Sequence, residues 1–195
     1  MEEYCSGVKG NNDHRCLCEE GNFGPKDLAD ASSPAALLHG YDRLGSTKPA
    51  EFLKKWCTMT FDSTGQRHAR WHWPNENKQG FLLSSAGDAI SGYIDLGPGM
   101  LIDRFGHDDT TYFAPFGTPF AMRSLPPSSL NDDYAVYKVK QRLLVKAGPI
   151  APGFEQPGLG TQYIVEMKPE VLFKGETWVR KLTAKEVEML YKGDV

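Results

Sequence analysis

The chain has 195 residues, is 40% hydrophobic and carries a formal net charge of −3 at pH 7. That length supplies one well-buried core with room for a small accessory lobe, but not two large independent domains. The weakly acidic balance argues against non-specific nucleic-acid binding while leaving a local arginine cluster free to hold phosphates, and no apolar run approaches the roughly 18 residues that a membrane-spanning helix needs.

The opening "MEEYCSGVKG" is acidic and polar, with no apolar centre, and does not read as a signal peptide. Either the protein is cytosolic or a signal has been removed, and the cysteines favour the second. All four, Cys5, Cys16, Cys18 and Cys57, lie in the first third of the chain. An even number gathered in a Gly-, Asn- and Asp-rich segment predicts two disulfides stapling a region with little core of its own. Cys16 and Cys18 are separated by one residue and would strain to bridge each other, so each is expected to reach one of Cys5 and Cys57, in either order. A zinc site that includes His14 competes with this reading, but "CLC" lacks the two-residue spacer of zinc ribbons; free thiols are the third possibility. Two bridges imply an oxidising compartment and hence a secreted or surface protein.

Residues 1 to about 35 are rich in turn formers and short of apolar periodicity. "SSPAALLHGYDRLG" follows, its Ser-Pro start suiting a short helix. "KPAEFLKKWC" predicts a second, with Phe52, Leu53 and Trp56 on one face. Residues 1–60 are therefore read as a cysteine-rich helical extension and 61–195 as the main domain. From about residue 58, "TMTFDSTGQRHARWHWPNENKQGF" has strand-like aromatics broken by Gly65 and Pro74. "YAVYKVKQRLLV" and "TQYIVEM" predict strands, "LFKGETWVRKL" a turn entering a strand, and "TAKEVEMLYKG" a capping-box helix. The predicted fold class is α+β: a mostly antiparallel or mixed twisted β-sheet core with a small disulfide-stapled helical N-terminal lobe.

The stretch "LIDRFGHDDTTYFAPFGTPFAMRSLPP" concentrates arginines, aromatics and chain breaks where nothing reads as a regular helix. Arg104 and Arg123 each end an apolar segment, where strands give way to loops and binding residues are mounted. A guanidinium grips phosphate through two parallel hydrogen bonds and stays charged at any working pH; the duller reading is a surface ion pair with Asp103, Asp108 or Asp109. Tyr112 and Phe113 offer faces to a flat cationic or aromatic ring, although core packing suits Phe113 better. "GPIAPGFEQPGLGTQYIVEM" describes a long irregular loop ending in a strand that begins at Gln162, whose amide brings a donor and an acceptor to a sugar or a water. Phe105, Tyr137 and Gln156 complete the candidate substrate contacts. His68 and His72 stand four apart, with no glutamate and no helix signal to make them metal ligands. No P-loop, GxSxG or GxGxxG occurs, and no carboxylate pair stands out as acid and base.

In order, "WPNENKQGF", "IDRFG", "GTPFAMRSLPP", "YAVYKVK" and "AGPIAPGFEQPGLGTQY" resemble the tuberculosis necrotizing toxin family of NAD glycohydrolases. The likeness runs over about residues 73 to 165, and the cysteine-bearing extension resembles that of the family's secreted fungal NADases. The resemblance implies hydrolysis of NAD and NADP to nicotinamide and ADP-ribose or its phosphate, with no cofactor required for the chemistry. It equates Arg104 with the arginine of the DRFG motif, Tyr112 with the aromatic eight residues on, Arg123 with the arginine before the Pro-Pro break and Gln162 with the catalytic glutamine. Some bacterial members carry a histidine where this chain has Ala135, so no histidine role transfers. The fungal branch further implies a homodimer without an immunity-protein partner, and a structural or regulatory calcium ion near the C-terminus that would draw on Glu186, Glu188 or Asp194. Transfer of ADP-ribose, cyclisation, or a secreted binding module without turnover are the alternatives.

Overall fold

A computed structural model describes residues 3–64 and 67–193 of the chain. Its body is a seven-stranded antiparallel sheet built from β3 (Gly92–Leu96), β4 (Leu101–Phe105), β5 (Tyr112–Pro115), β6 (Tyr134–Val139), β7 (Leu143–Pro149), β8 (Thr161–Ile164) and β9 (Val179–Lys181), in the order β3-β7-β8-β5-β4-β6-β9. A separate hairpin pairs β1 (Cys57–Phe61) with β2 (Arg67–Trp71). Helices are few and short among the described residues: α1 (Pro49–Trp56), α2 (Pro169–Leu172) and α3 (Ala184–Lys192), with scattered 3-10 turns. The fold is α+β with an antiparallel core, as the sequence predicts.

Proline at the first position of α1 satisfies the helix start, and Phe52 on its inner face is fully buried. The predicted capping box of α3 is present: the Thr183 hydroxyl accepts from the Glu186 N–H, and Glu186 reaches back to Thr183 N. "SSPAALLHGYDRLG" forms only a 3-10 turn at Ala35–Leu38. "YAVYKVKQRLLV" is two strands rather than one, broken between Val139 and Leu143. The predicted break at Gly65 lies outside the described residues.

One apolar cluster, including Ile102, Phe113, Tyr137, Val145 and Tyr163, fills one face of the sheet. A second joins Leu37 and Tyr41 of the extension to Phe105, Phe120 and Leu130, and a third joins Phe23, Leu44 and Phe52 to Phe154. The extension thus shares its apolar side chains with the body, and the β1–β2 hairpin spans the boundary drawn at residue 60. A Cys5–Cys18 disulfide closes a separation of 13 residues, one of the two expected pairings for Cys18. The expected second bridge is absent: Cys16 and Cys57 are buried free thiols. They face different neighbours, Cys16 donating to Asn131 Oδ1 at 3.8 Å and Cys57 lying against Met59 Sδ. His72 ties the end of the hairpin to α1 through the Lys55 carbonyl and to β1 through Thr58 Oγ1, and His68 pairs with Asp62.

Candidate active site

The sheet order sets three adjacent strands, β8, β5 and β4, under one cavity of about 570 Å³, within the size range of small-molecule sites. Arg104 from β4, Tyr112 and Phe113 from β5 and Gln162 from β8 line it, joined by Phe105 and by Arg123 from the turn after Phe120–Met122.

Arg104 is 5% exposed. Its Nη1 donates to the Thr110 carbonyl at 2.6 Å and its Nη2 to Thr110 Oγ1 at 2.8 Å. The buried Nε meets no acceptor among the described residues, and the guanidinium lies 5.6 Å over the Phe113 ring. Burial pulls its pKa down, opposed by Tyr137 and the carboxylates of Asp108 and Asp109. Nearby Asp109 is mostly exposed and 4.0 Å away, so the charge of Arg104 is only weakly compensated.

Arg123 does take one of the aspartates weighed as its partner, but in the interior rather than at the surface. Its Nη1 meets Asp103 Oδ1 at 2.6 Å, an ionic contact without a well-angled hydrogen bond, and both side chains are almost fully buried. Nε and Nη2 both donate to the Thr118 carbonyl, and the guanidinium stacks 5.3 Å over Phe105. Of the five guanidinium N–H groups, one on Nη1 and one on Nη2 remain for a ligand.

Gln162 is half-buried. Its Nε2 donates to the Gln79 carbonyl at 2.8 Å. A carbonyl only accepts, so this bond fixes the amide's orientation and leaves Oε1 as the free acceptor. The loop that delivers Gln162 is held by backbone contacts: Gly158 N donates to the Ala121 carbonyl and Gly160 N to the Met122 carbonyl. A Cβ at Gly160 would stand 2.5 Å from the Met122 oxygen, so only glycine lets the two loops lie this close.

Two substrate candidates lie elsewhere. Tyr137 is 1% exposed in the sheet core, its hydroxyl donating to Asp108, and it is outside the cavity lining. Gln156 is buried, with its Nε2 on the Asp42 carbonyl at 2.6 Å, where it fastens the loop to the extension. Glu186 is engaged by Arg180 and the Thr183 cap, and Glu188 by Lys192; Asp194 lies outside the described residues. Among the described residues no group of three or more His, Cys, Asp or Glu stands together as a metal site, and Glu186 and Glu188 are each tied to a cation.

A further wall of the cavity, which the sequence does not announce, is formed by Trp73, Pro74, Glu76, Gln79 and Gly80. Trp73 is 40% exposed and is braced edge-on by Phe154 at 5.2 Å, and Phe154 is itself wedged against Trp56 and Trp71. The available signal is a tryptophan two residues past a strand, directly before a proline.

The geometry defines a small-ligand pocket for an anion with flat rings: two buried guanidiniums, exposed aromatic faces at Trp73 and Tyr112, and one oriented amide. Residues 95–187 match the family model described as "Tuberculosis necrotizing toxin". Over 167 residues the chain is 39% identical to the conidial surface nicotinamide adenine dinucleotide glycohydrolase nadA of Aspergillus fumigatus, a match spanning 82% of this chain and 68% of that protein. The structure of tuberculosis necrotizing toxin complexed with its immunity factor superposes with a TM-score of 0.51 at 18% identity, over 96% of this chain and 94% of that one, a likeness of fold. The chain belongs to the tuberculosis necrotizing toxin family.

Proposed function

We propose that the chain is an NAD glycohydrolase that cleaves the bond between nicotinamide and ribose, releasing nicotinamide and ADP-ribose, and that it accepts NADP in the same way. The observation that carries this reading is the convergence of Arg104, Arg123 and the oriented amide of Gln162 on one cavity. The family membership and the 39% identity to a protein named as such an enzyme support it.

The chemistry suits a site without an acid and base pair. The nicotinamide of NAD is already cationic, so when its C1′–N bond breaks the electron pair returns to nitrogen and the leaving group is neutral. No carboxylic acid is needed to protonate it, in contrast to ordinary glycosidases. Water then forms the new C1′–O bond and gives its proton to solvent. The residues have three tasks left: to hold the pyrophosphate, to seat the rings, and to stabilise positive charge on the ribose. The unused N–H groups of Arg104 and Arg123 serve the first, and Tyr112 and Trp73 the second. Gln162 serves the third, because its Oε1, held in place through Nε2, presents the negative end of a dipole to an oxocarbenium-like ribose and accepts from the attacking water.

An oxidising location, outside the cell or at its surface, accords with the Cys5–Cys18 bridge. A homodimer belongs to the same reading and is checked by light scattering. The deciding experiment follows etheno-NAD fluorescence with the purified chain beside Gln162→Ala. Rapid signal from wild type with loss in the variant is expected. Normal turnover by a folded Gln162→Ala would remove that residue from the chemistry, and a folded wild type without turnover would move the function to transfer or binding.

A further inference from the structure

The C-terminal helix α3 has no fully buried residue, yet its Tyr191 packs, partly buried, against the cluster of Phe105 and Phe120. The Tyr191 ring packs 5.1 Å from Phe116, and its hydroxyl lies 2.9 Å from the hydroxyl of Tyr134. The Tyr134 hydroxyl donates to Asp103 Oδ2 at 2.7 Å, an oxygen that also accepts from Gly117 N at 2.9 Å. Asp103 Oδ1 meets Arg123 in the cavity wall. The direction of the protons follows. An ionised carboxylate only accepts, so the single proton of Tyr134 points at Asp103, and Tyr134 can take a bond from Tyr191 only as acceptor. Tyr191 therefore donates into the chain. Each donation polarises the next, and all act on a carboxylate shielded from water.

We propose that Tyr191 is a positioning residue for Arg123, and that docking of α3 sets how tightly the cavity holds a pyrophosphate. The proposal rests on the reading of Arg123 as a pyrophosphate ligand. Asp103 is the only carboxylate that Arg123 touches among the described residues, and its two oxygens are placed from opposite sides, one by the arginine and one by Tyr134 and Gly117. Loss of the Tyr191 hydroxyl loosens Tyr134 first, Asp103 next, and then the orientation of the two N–H groups that Arg123 has to spare. Burial pushes the Tyr134 and Tyr191 phenols upward in pKa, Asp103 adding to both, so the protons that the chain needs are present throughout the neutral range.

The test measures kcat and KM for NAD in wild type, Tyr191→Phe, Tyr134→Phe, Arg123→Lys and the Tyr191→Phe/Arg123→Lys double variant, together with NMR exchange of the Arg123 Nη1 and Nη2 N–H groups, the former facing Asp103. Tyr191→Phe retains the ring packed on Phe116 and is expected to fold. It should raise KM about three- to tenfold, the scale of one hydrogen bond in such a network, with kcat within about twofold. The Arg123 Nη1 N–H groups, which face Asp103, should exchange faster, and Tyr134→Phe should do the same more strongly. Added to Arg123→Lys, the Tyr191 change should cost nothing further. Effects that simply multiply, with Arg123 exchange unchanged, would overturn the positioning role. A wild type that does not turn over NAD would sink the function reading alone, since the exchange measurement still decides whether Tyr191 holds Arg123.

Discussion

The side-chain amide of Gln162 donates to the backbone carbonyl of Gln79 across 83 residues of sequence. The bond joins β8 to the turn that ends at Gln79, and the carbonyl dictates which end of the amide faces the cavity. Gln162→Glu replaces the donor with a second oxygen, which the Gln79 carbonyl repels. Turnover should fall about 100-fold or more, the scale of removing one oriented group from a charged transition state, while the melting temperature stays close to wild type. A variant with more than a tenth of wild-type kcat in the etheno-NAD assay would show that the orientation is immaterial.

Gly160 gives a test of how the loops are stacked. Gly160→Ala sets a methyl 2.5 Å from the Met122 oxygen, and overpacking of this kind costs about 1–3 kcal/mol. The melting temperature should drop by roughly 2–10 °C, and kcat should fall as the strand carrying Gln162 shifts. Gly97→Ala is the matched control, because no heavy atom lies within 4 Å of its added carbon. Equal behaviour of the two variants would mean that the loop contact is slack.

Much of this site is legible in the sequence, and the legible part has a common physical basis. Arg104, Arg123 and Gln162 each stand where an apolar run breaks, and a charged or amide side chain at such a break has only a pocket or solvent to enter. What escaped the reading depends on contacts between distant segments. Trp73 becomes part of the cavity only because Phe154 braces it, and Tyr137 and Gln156 look like contacts until the sheet buries one and the extension takes the other. Strands β3 and β5 also carry little signal, since β3 is an exposed edge of mixed composition and β5 is four residues with a terminal proline. The Pro-Gly-rich loop was readable as irregular, but not as something that would be stacked on Met122.

Thiol chemistry distinguishes one bridge from two. Burial raises the Cys16 thiol and pushes that of Cys57 to about 11, so both should react slowly with a thiol reagent in the native protein. Unfolded without reductant, the chain should release two reactive thiols, counted colorimetrically. A count of zero would mean that Cys16 and Cys57 are also joined.

Acid should release α3 before the sheet. The Arg180 guanidinium, helped by the backbone and hydroxyl of Thr183, holds the Glu186 carboxyl at about 2, below its ordinary 4.5. A depressed carboxylate pKa contributes stability above the unfolded value, which is lost as pH falls from about 4.5 toward 2. A carbon-13 titration of the Glu186 carboxyl should show a midpoint near 2. An ordinary midpoint would mean that the cap and the Arg180 pair are not formed in solution.

The order of strands in the sheet has a consequence for biosynthesis. β4 and β8 are neighbours of the same strand, β5, yet lie far apart in the chain, and pairings between such distant segments close slowly and late. No N-terminal fragment that stops short of β8 contains Gln162, and none can brace the cavity from both sides. A nascent chain therefore cannot assemble the cavity, with Arg104 and Gln162 on its two sides, until β8 has emerged.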